Sequence, residues 1–249
     1  MRRLIALAAV PAALVAGGVA IAAGQPAQTG GLSLSPALLV AAPQPGPLGT
    51  MTITNRSGAA LAVTVTPRPW NESAAGKFAP DRRATLAQVR LSAGSFTLAP
   101  GADQKVALTL TGAPAGGSLY GALEVTGLPA DAAKRQGAVL GYRLVGSLRL
   151  PPAQKRFGLV AGAVKRVGKA AVLPVTSTGN TIDPISGQVS VKSARGTLND
   201  SVADLRILPG RKVDVILATS LGTGSYSATV TLKQGGAKLL TAKRKFSVR

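Results

Sequence analysis

The chain has 249 residues, with 29 Lys and Arg against 9 Asp and Glu, a formal net charge of +20, and neither Cys nor His. These absences exclude disulfides, thiolate metal sites and Cys nucleophiles, and also His-ligated metals, Ser-His-Asp triads and imidazole acid–base catalysis. Aromatics are only 3% of residues, against 30 Gly and 17 Pro, so base-stacking platforms are scarce and turn-forming residues abundant.

Met1-Arg2-Arg3 precedes an uncharged run from Leu4 to Ala23. Two Arg, an apolar stretch and small residues at a cleavage site have the form of a secretory signal. Ala20-Ile21-Ala22 supplies that site, with Gly24 as a second one. An uncleaved anchor is the alternative, since the run is long enough to span a bilayer. Either reading of residues 1–24 places the rest of the chain outside the cytoplasm. Residues 25–31, Gln-Pro-Ala-Gln-Thr-Gly-Gly, read as a flexible tether.

Period-two alternation then begins. Met51 and Ile53 alternate with Thr50, Thr52 and Thr54; Leu61, Val63 and Val65 with Ala62, Thr64 and Thr66; Val106, Leu108 and Leu110 with Lys105, Thr109 and Thr111. Farther on, Tyr226, Ala228, Val230 and Leu232 alternate with Ser225, Ser227, Thr229 and Thr231. Each run is a strand with one buried and one wet face. Pro67 and Pro69 are expected to end the strand before Trp70. Residues 71–85 then form a long loop carrying Lys77, Arg82 and Arg83, the candidate interaction loop. Trp70 is either a cap over the first core or a contact residue for a glycan or partner.

An internal echo divides the chain. Thr54-Asn-Arg-Ser-Gly58, Leu98-Ala-Pro-Gly-Ala102 and Ser118-Leu-Tyr-Gly-Ala122 are followed in the same order by Thr176-Ser-Thr-Gly-Asn180, Ile207-Leu-Pro-Gly-Arg211 and Gly224-Ser-Tyr-Ser-Ala228. The chain is expected to be all-β, with two immunoglobulin-like β-sandwiches, 32–151 and 152–249, joined near Pro151-Pro152-Ala153. Tyr120 and Tyr226 read as structural residues, either tyrosine corners or half-buried rings.

Chemistry is sparse. No nucleophile elbow, phosphate-binding loop or clustered acidic metal site occurs, so neither an enzyme nor a cofactor or metal is expected. Residues 32–151 hold 11 basic and 5 acidic residues, while 152–249 hold 16 and 4. Lys243 and Lys245 share the face of Thr241, and Arg244 points the other way and snorkels at a sandwich end. A field of this size attracts polyanions, but the basic residues are dispersed and no nucleic-acid recognition module is present.

The second half, with Val175-Thr-Ser-Thr-Gly-Asn-Thr181, Ile185-Ser-Gly-Gln-Val-Ser-Val191, the Leu-Pro-Gly turn and a terminal Phe246-Ser-Val248, resembles the immunoglobulin-like domain of the WxL-interacting cell-surface proteins. More distantly, Asn55, Trp70, Phe96-Thr-Leu98, Pro100-Gly101 and Gln104 resemble the N-terminal domain of periplasmic pilus chaperones. The first resemblance implies an exported cell-surface protein that binds peptidoglycan, and with the charge field the expected partners are anionic wall polymers, peptidoglycan or a surface protein. The second implies an assembly factor for secreted or pilus subunits, which lends an edge strand and binds the subunit's carboxylate through basic residues in the interdomain cleft. Arg143, Arg149, Lys155 and Arg156 flank the expected junction and are the candidates for that role.

Overall fold

The computed structural model describes residues 30–248. The signal and most of the tether, residues 1–29, lie outside them. The last two tether residues do not read as a loose linker. Gly31 accepts a hydrogen bond from the Arg56 N–H at 2.7 Å, and the Tyr142 ring occupies the space where a side chain at Gly31 would stand.

The protein is all-β. The first sandwich contains β1 (Leu32–Ser35), β2 (Leu38–Val40), β3 (Gly46–Asn55), β4 (Leu61–Glu72), β5 (Phe78–Pro80), β6 (Val89–Leu91), β7 (Ser95–Leu98), β8 (Asp103–Leu110), β9 (Leu119–Pro129) and β10 (Tyr142–Leu150). Its sheets run β1-β3-β8-β6 and β2-β10-β9-β4-β5, with β7 also on β4. The first strand changes sheets across a cis Ser35–Pro36 peptide, so β1 lies antiparallel to β3 and β2 parallel to β10.

The second sandwich contains β11 (Leu159–Ala161), β12 (Lys165–Val167), β13 (Ala170–Ser177), β14 (Ile185–Ser193), β15 (Gly196–Leu205), β16 (Lys212–Ala218), β17 (Gly224–Gln234) and β18 (Ala237–Val248). Here β13 pairs with β11, β12 and β16, facing a sheet ordered β15-β14-β17-β18. The alternating apolar residues predicted for the strands supply the cores, from Met51, Ile53, Leu61 and Val63 in one to Val189, Val191, Val230 and Leu232 in the other.

The internal echo is a conserved-geometry clasp within one chain. Asn55 N–H bonds the Ala102 carbonyl at 2.9 Å while Gly101 N–H bonds the Asn55 carbonyl at 2.8 Å. In the second sandwich Ser177 N–H bonds the Arg211 carbonyl and Gly210 N–H bonds the Ser177 carbonyl, both at 3.0 Å. Gly101 and Gly210 have φ of 75° and 74°, the value that follows Pro in a turn needing a left-handed second position. Each Pro-Gly turn thus closes on the end of an earlier strand in the same way.

The two tyrosines differ. Tyr226 donates its hydroxyl to the Gly222 carbonyl four residues upstream, at 2.9 Å, the bond of a tyrosine corner. Its ring stacks on Phe246 with centroids 5.5 Å apart. Tyr120 reaches outward instead, to the Asn180 carbonyl of the second sandwich at 3.3 Å.

Arg244 behaves as its alternation parity requires. It turns toward the sandwich and donates to the Gly162 and Ala161 carbonyls of the facing sheet at 3.0 and 3.2 Å.

Candidate functional site

Pro67 and Pro69 do not end β4, and residues 71–85 are not one long loop. The strand runs through both prolines to Glu72, pairing with β9 as far as Pro69 opposite Gly121. The reason lies in which edge each proline faces. Residues 65, 67 and 69 point their backbone polar groups away from β9: Val65 N–H bonds the Gly94 carbonyl, and the Pro67 and Pro69 carbonyls accept from Leu86 and Asp81 N–H. On that side β7 pairs only up to Thr64 and β5 begins at Trp70. The missing proline N–H groups therefore fall in a gap between partner strands and cost no ladder bond. Beyond the gap β4 and β5 form a hairpin. Its tip docks on the second sandwich, with the Ala74 carbonyl accepting the Asp214 N–H at 2.7 Å.

This hairpin sets the position of Trp70. In β4 the core-facing residues are Leu61, Val63 and Val65, so Arg68, Trp70 and Glu72 belong to the opposite face. Trp70 therefore does not cap the first core. It packs edge-on against Phe78 at 6.3 Å and lines a cleft between the sandwiches with Tyr120, Arg156, Asn180, Pro209 and Arg211. Behind the lining, the buried Glu72 Oε2 accepts the N–H of Leu208, itself a lining residue, at 2.9 Å. Burial pushes the Glu72 carboxyl above the ordinary carboxylate range, although the Leu208 N–H and the Arg211 charge pull against it. Asn180 ties the linker down: its Oδ1 accepts the Arg156 N–H at 2.7 Å and its Nδ2 donates to the Gln154 carbonyl at 3.0 Å.

The cleft is electropositive. Arg156 and Arg211 line it, and Arg149 stands beside Tyr120 on the neighbouring strand, in direct register and on the same face. Among the described residues none of these three guanidinium groups forms an ion pair.

A second feature leads into the cleft. Strand β10 is laddered to β9 along its whole length, but its other edge is paired only where β2 meets Ser147–Arg149. Ser147 N–H and the Arg149 carbonyl bond toward β2, so the backbone groups of Arg143 and Val145 point to the same, open side. Apolar side chains surround this open stretch: Leu140 is 86% exposed, Leu128 50% and Val145 37%.

The remaining residues singled out from the sequence are dispersed. Lys155 pairs with Asp183 at 2.8 Å. Lys77 sits exposed on the hairpin, and Arg83 is exposed beyond it. Arg143 is not at the junction; it lies at the far end of β10 and donates to Glu124 at 2.6 Å. Arg68 and Arg82 bind the same carboxylate. Glu124 is thus held by three guanidinium groups with its side chain 5% exposed. Burial alone would raise its pKa, but the hydrogen bonds and charges of Arg143 and Arg68 outweigh that and hold it below 4.5. A depressed folded-state value adds stability above the unfolded value, near 4.5, and loses it as pH falls through the folded one. Wild-type protein should therefore lose more thermal stability than Glu124→Gln between neutral and acidic pH, read as the melting temperature against pH.

Tyr120, Arg211 and Asn180 line the cleft but are not among the candidate binding residues of the sequence, where Tyr120 reads as structural only. Arg211 and Asn180 were visible as the final residues of two echoed motifs. Tyr120 had an echo of its own, whose partner is a true corner residue.

No protein-family model matches the chain, and no curated protein sequence matches it. Solved structures do. A structure of the chaperone–tip adhesin complex of CFA/I fimbriae biogenesis aligns with a TM-score of 0.54 at 10% identity, covering 86% of this chain and 99% of the other. The class 5 fimbriae chaperone CfaA aligns with a TM-score of 0.51 at 12% identity, covering 88% and 99%. This chain has their fold, two immunoglobulin-like sandwiches in one arrangement along nearly the full length of those proteins. The likeness falls on the more distant of the two resemblances read from the sequence.

Proposed function

We propose that the protein is a non-enzymatic, extracytoplasmic assembly factor that holds an exported subunit. The subunit's chain adds as a strand to the open edge of β10 between Tyr142 and Gly146 and places an anionic end group in the cleft among Arg149, Arg156 and Arg211. The observation that carries this reading is the half-paired edge of β10, unprotected by charge at Val145 and flanked by exposed Leu128 and Leu140. Natural sheets cover or blunt such edges, and an open one is the means of strand addition to a partner. The edge runs directly toward the cleft, because Arg149 lies on the same strand. The fold shared with fimbrial chaperones supports the reading at the level of architecture. A peptidoglycan-binding role drawn from the WxL-interacting group rests on the sequence likeness of the second half and on charge, without a comparable structural feature.

Recovered from its own cells by a C-terminal tag, the protein should bring down an exported subunit in one-to-one ratio. Val145→Pro removes one edge donor without touching the β9 ladder, and Arg156→Ala with Arg211→Ala removes the cleft charge. Each change should lower recovery of the subunit about tenfold. Undiminished recovery in both variants would overturn the proposal.

A further inference from the structure

Strands β14, β17 and β18 present an outer face made only of lysine, hydroxyl and amide side chains. Lys192 lies directly opposite Ser227, which lies opposite Lys245. In the next row Ser190, Thr229 and Lys243 stand side by side, and then Gln188, Thr231 and Thr241. At the far end Lys233 faces Lys238, a like-charge pairing that weakens a sheet. All five lysines are exposed. Among the described residues none of them forms an ion pair. Neighbouring inward-facing positions are Val189, Val191, Ala228, Val230 and Ala242 of the core, so the lysines are there by alternation and are not spilling over from a crowded edge.

We infer that this face binds an extended anionic polysaccharide. The charge is one-sided, five cations with no carboxylate in any of the rows. Lysines that alternate along β18 stand about 7 Å apart, and those two strands apart stand about 10 Å apart, spacings that meet acid groups repeated along a polymer. Between the lysines Ser and Thr hydroxyls and the Gln amide can both donate and accept, as sugar hydroxyls require. The rows contain no aromatic ring, which disfavours nucleic acid, where base stacking carries much of the affinity. They also contain no apolar side chain to enter a bilayer. The face belongs to the second sandwich and shares no residue with the cleft or with β10.

Polygalacturonate is a suitable carboxylated probe, with neutral dextran and single-stranded DNA as comparisons, all against the full chain. Binding to polygalacturonate should fall with salt, as exposed charges are screened over about 8 Å at physiological ionic strength. A triple change, Lys192→Gln, Lys243→Gln and Lys245→Gln, should weaken it about tenfold. An equal loss of charge elsewhere, by Lys105→Gln, Lys134→Gln and Lys169→Gln, should leave it within about twofold. The polymer should also protect Lys192, Lys243 and Lys245, but not Lys105, from acetylation in the unmodified protein. Equal weakening by the two triple changes, uniform protection, equal binding to dextran, or tighter binding to DNA would each overturn the inference. The Arg156→Ala, Arg211→Ala variant should bind the polymer like wild type, which separates this face from the proposed subunit site.

Discussion

Gly187→Ala is expected to destabilise the second sandwich by about 3 kcal/mol. Gly187 sits in the central strand β14, opposite Leu232. A Cβ there would fall well inside contact with the Thr231 carbonyl oxygen and with Leu232. The carbonyl belongs to the β17 backbone and cannot swing aside, while Leu232 is fully buried in the core. Relief must come from parting β14 and β17, which breaks ladder bonds on both strands. Thermal unfolding should show the transition about 10 °C lower. Gly112→Ala meets nothing within 4 Å and serves as the control that leaves it unchanged. Equal melting of the two variants would refute the steric account.

Asn55→Ala should cost about as much in the first sandwich, by a different route. The Asn55 side chain is fully buried and its amide donates to the carbonyls of Ala59, Leu98 and Ala99 at 2.8, 3.0 and 3.1 Å. Its Oδ1 accepts from Ser57 N–H and Ser57 Oγ. Alanine takes this partner from the Leu98 and Ala99 carbonyls and the Ser57 N–H, at about 1 kcal/mol or more apiece, while the Ala59 carbonyl keeps the Ser57 hydroxyl. The sum, about 3 kcal/mol, follows from polar groups left unmade rather than from lost apolar area. Denaturant titration should show a lower midpoint with an unchanged slope. Asn55→Asp, which keeps Oδ1 but turns donors into an acceptor facing three carbonyls, should be no better than alanine.

Both residues stood in motifs quoted from the sequence, and that pattern holds across the fold. Alternating Val, Leu and Thr identified β4, β8 and β17 because one face of each is buried and the other wet. The Pro-Gly echoes identified the paired turns because only glycine takes the required φ after proline. Three things were not legible. The course of β4 through Pro67 and Pro69 depends on which edge faces a gap between β7 and β5, a property of the sheet rather than of the segment. Arg143 is near Pro151 in sequence, but the antiparallel ladder with β9 sets it at the far end of β10 and onto Glu124. Tyr120 and Tyr226 occupy matching motifs, yet only the first has a second sandwich within reach. The cleft combines residues separated by up to about 140 positions, such as Trp70 and Arg211, and no local pattern records such a meeting.

The docking of the hairpin on the second sandwich uses main-chain donors: Leu208 N–H to Glu72 and Asp214 N–H to the Ala74 carbonyl. Leu208 also belongs to the Pro-Gly clasp that closes the second sandwich on itself. The junction thus combines one backbone–backbone bond, Asp214 N–H to Ala74, with two side-chain ones, Glu72 on the Leu208 N–H and the Tyr120 hydroxyl on the Asn180 carbonyl. The guanidinium groups of Arg156 and Arg211, which line the cleft, make none of these bonds. What such a junction cannot tolerate is a change in the turn itself, since Pro209 and Gly210 hold the inner closure of one unit and the outer alignment of both.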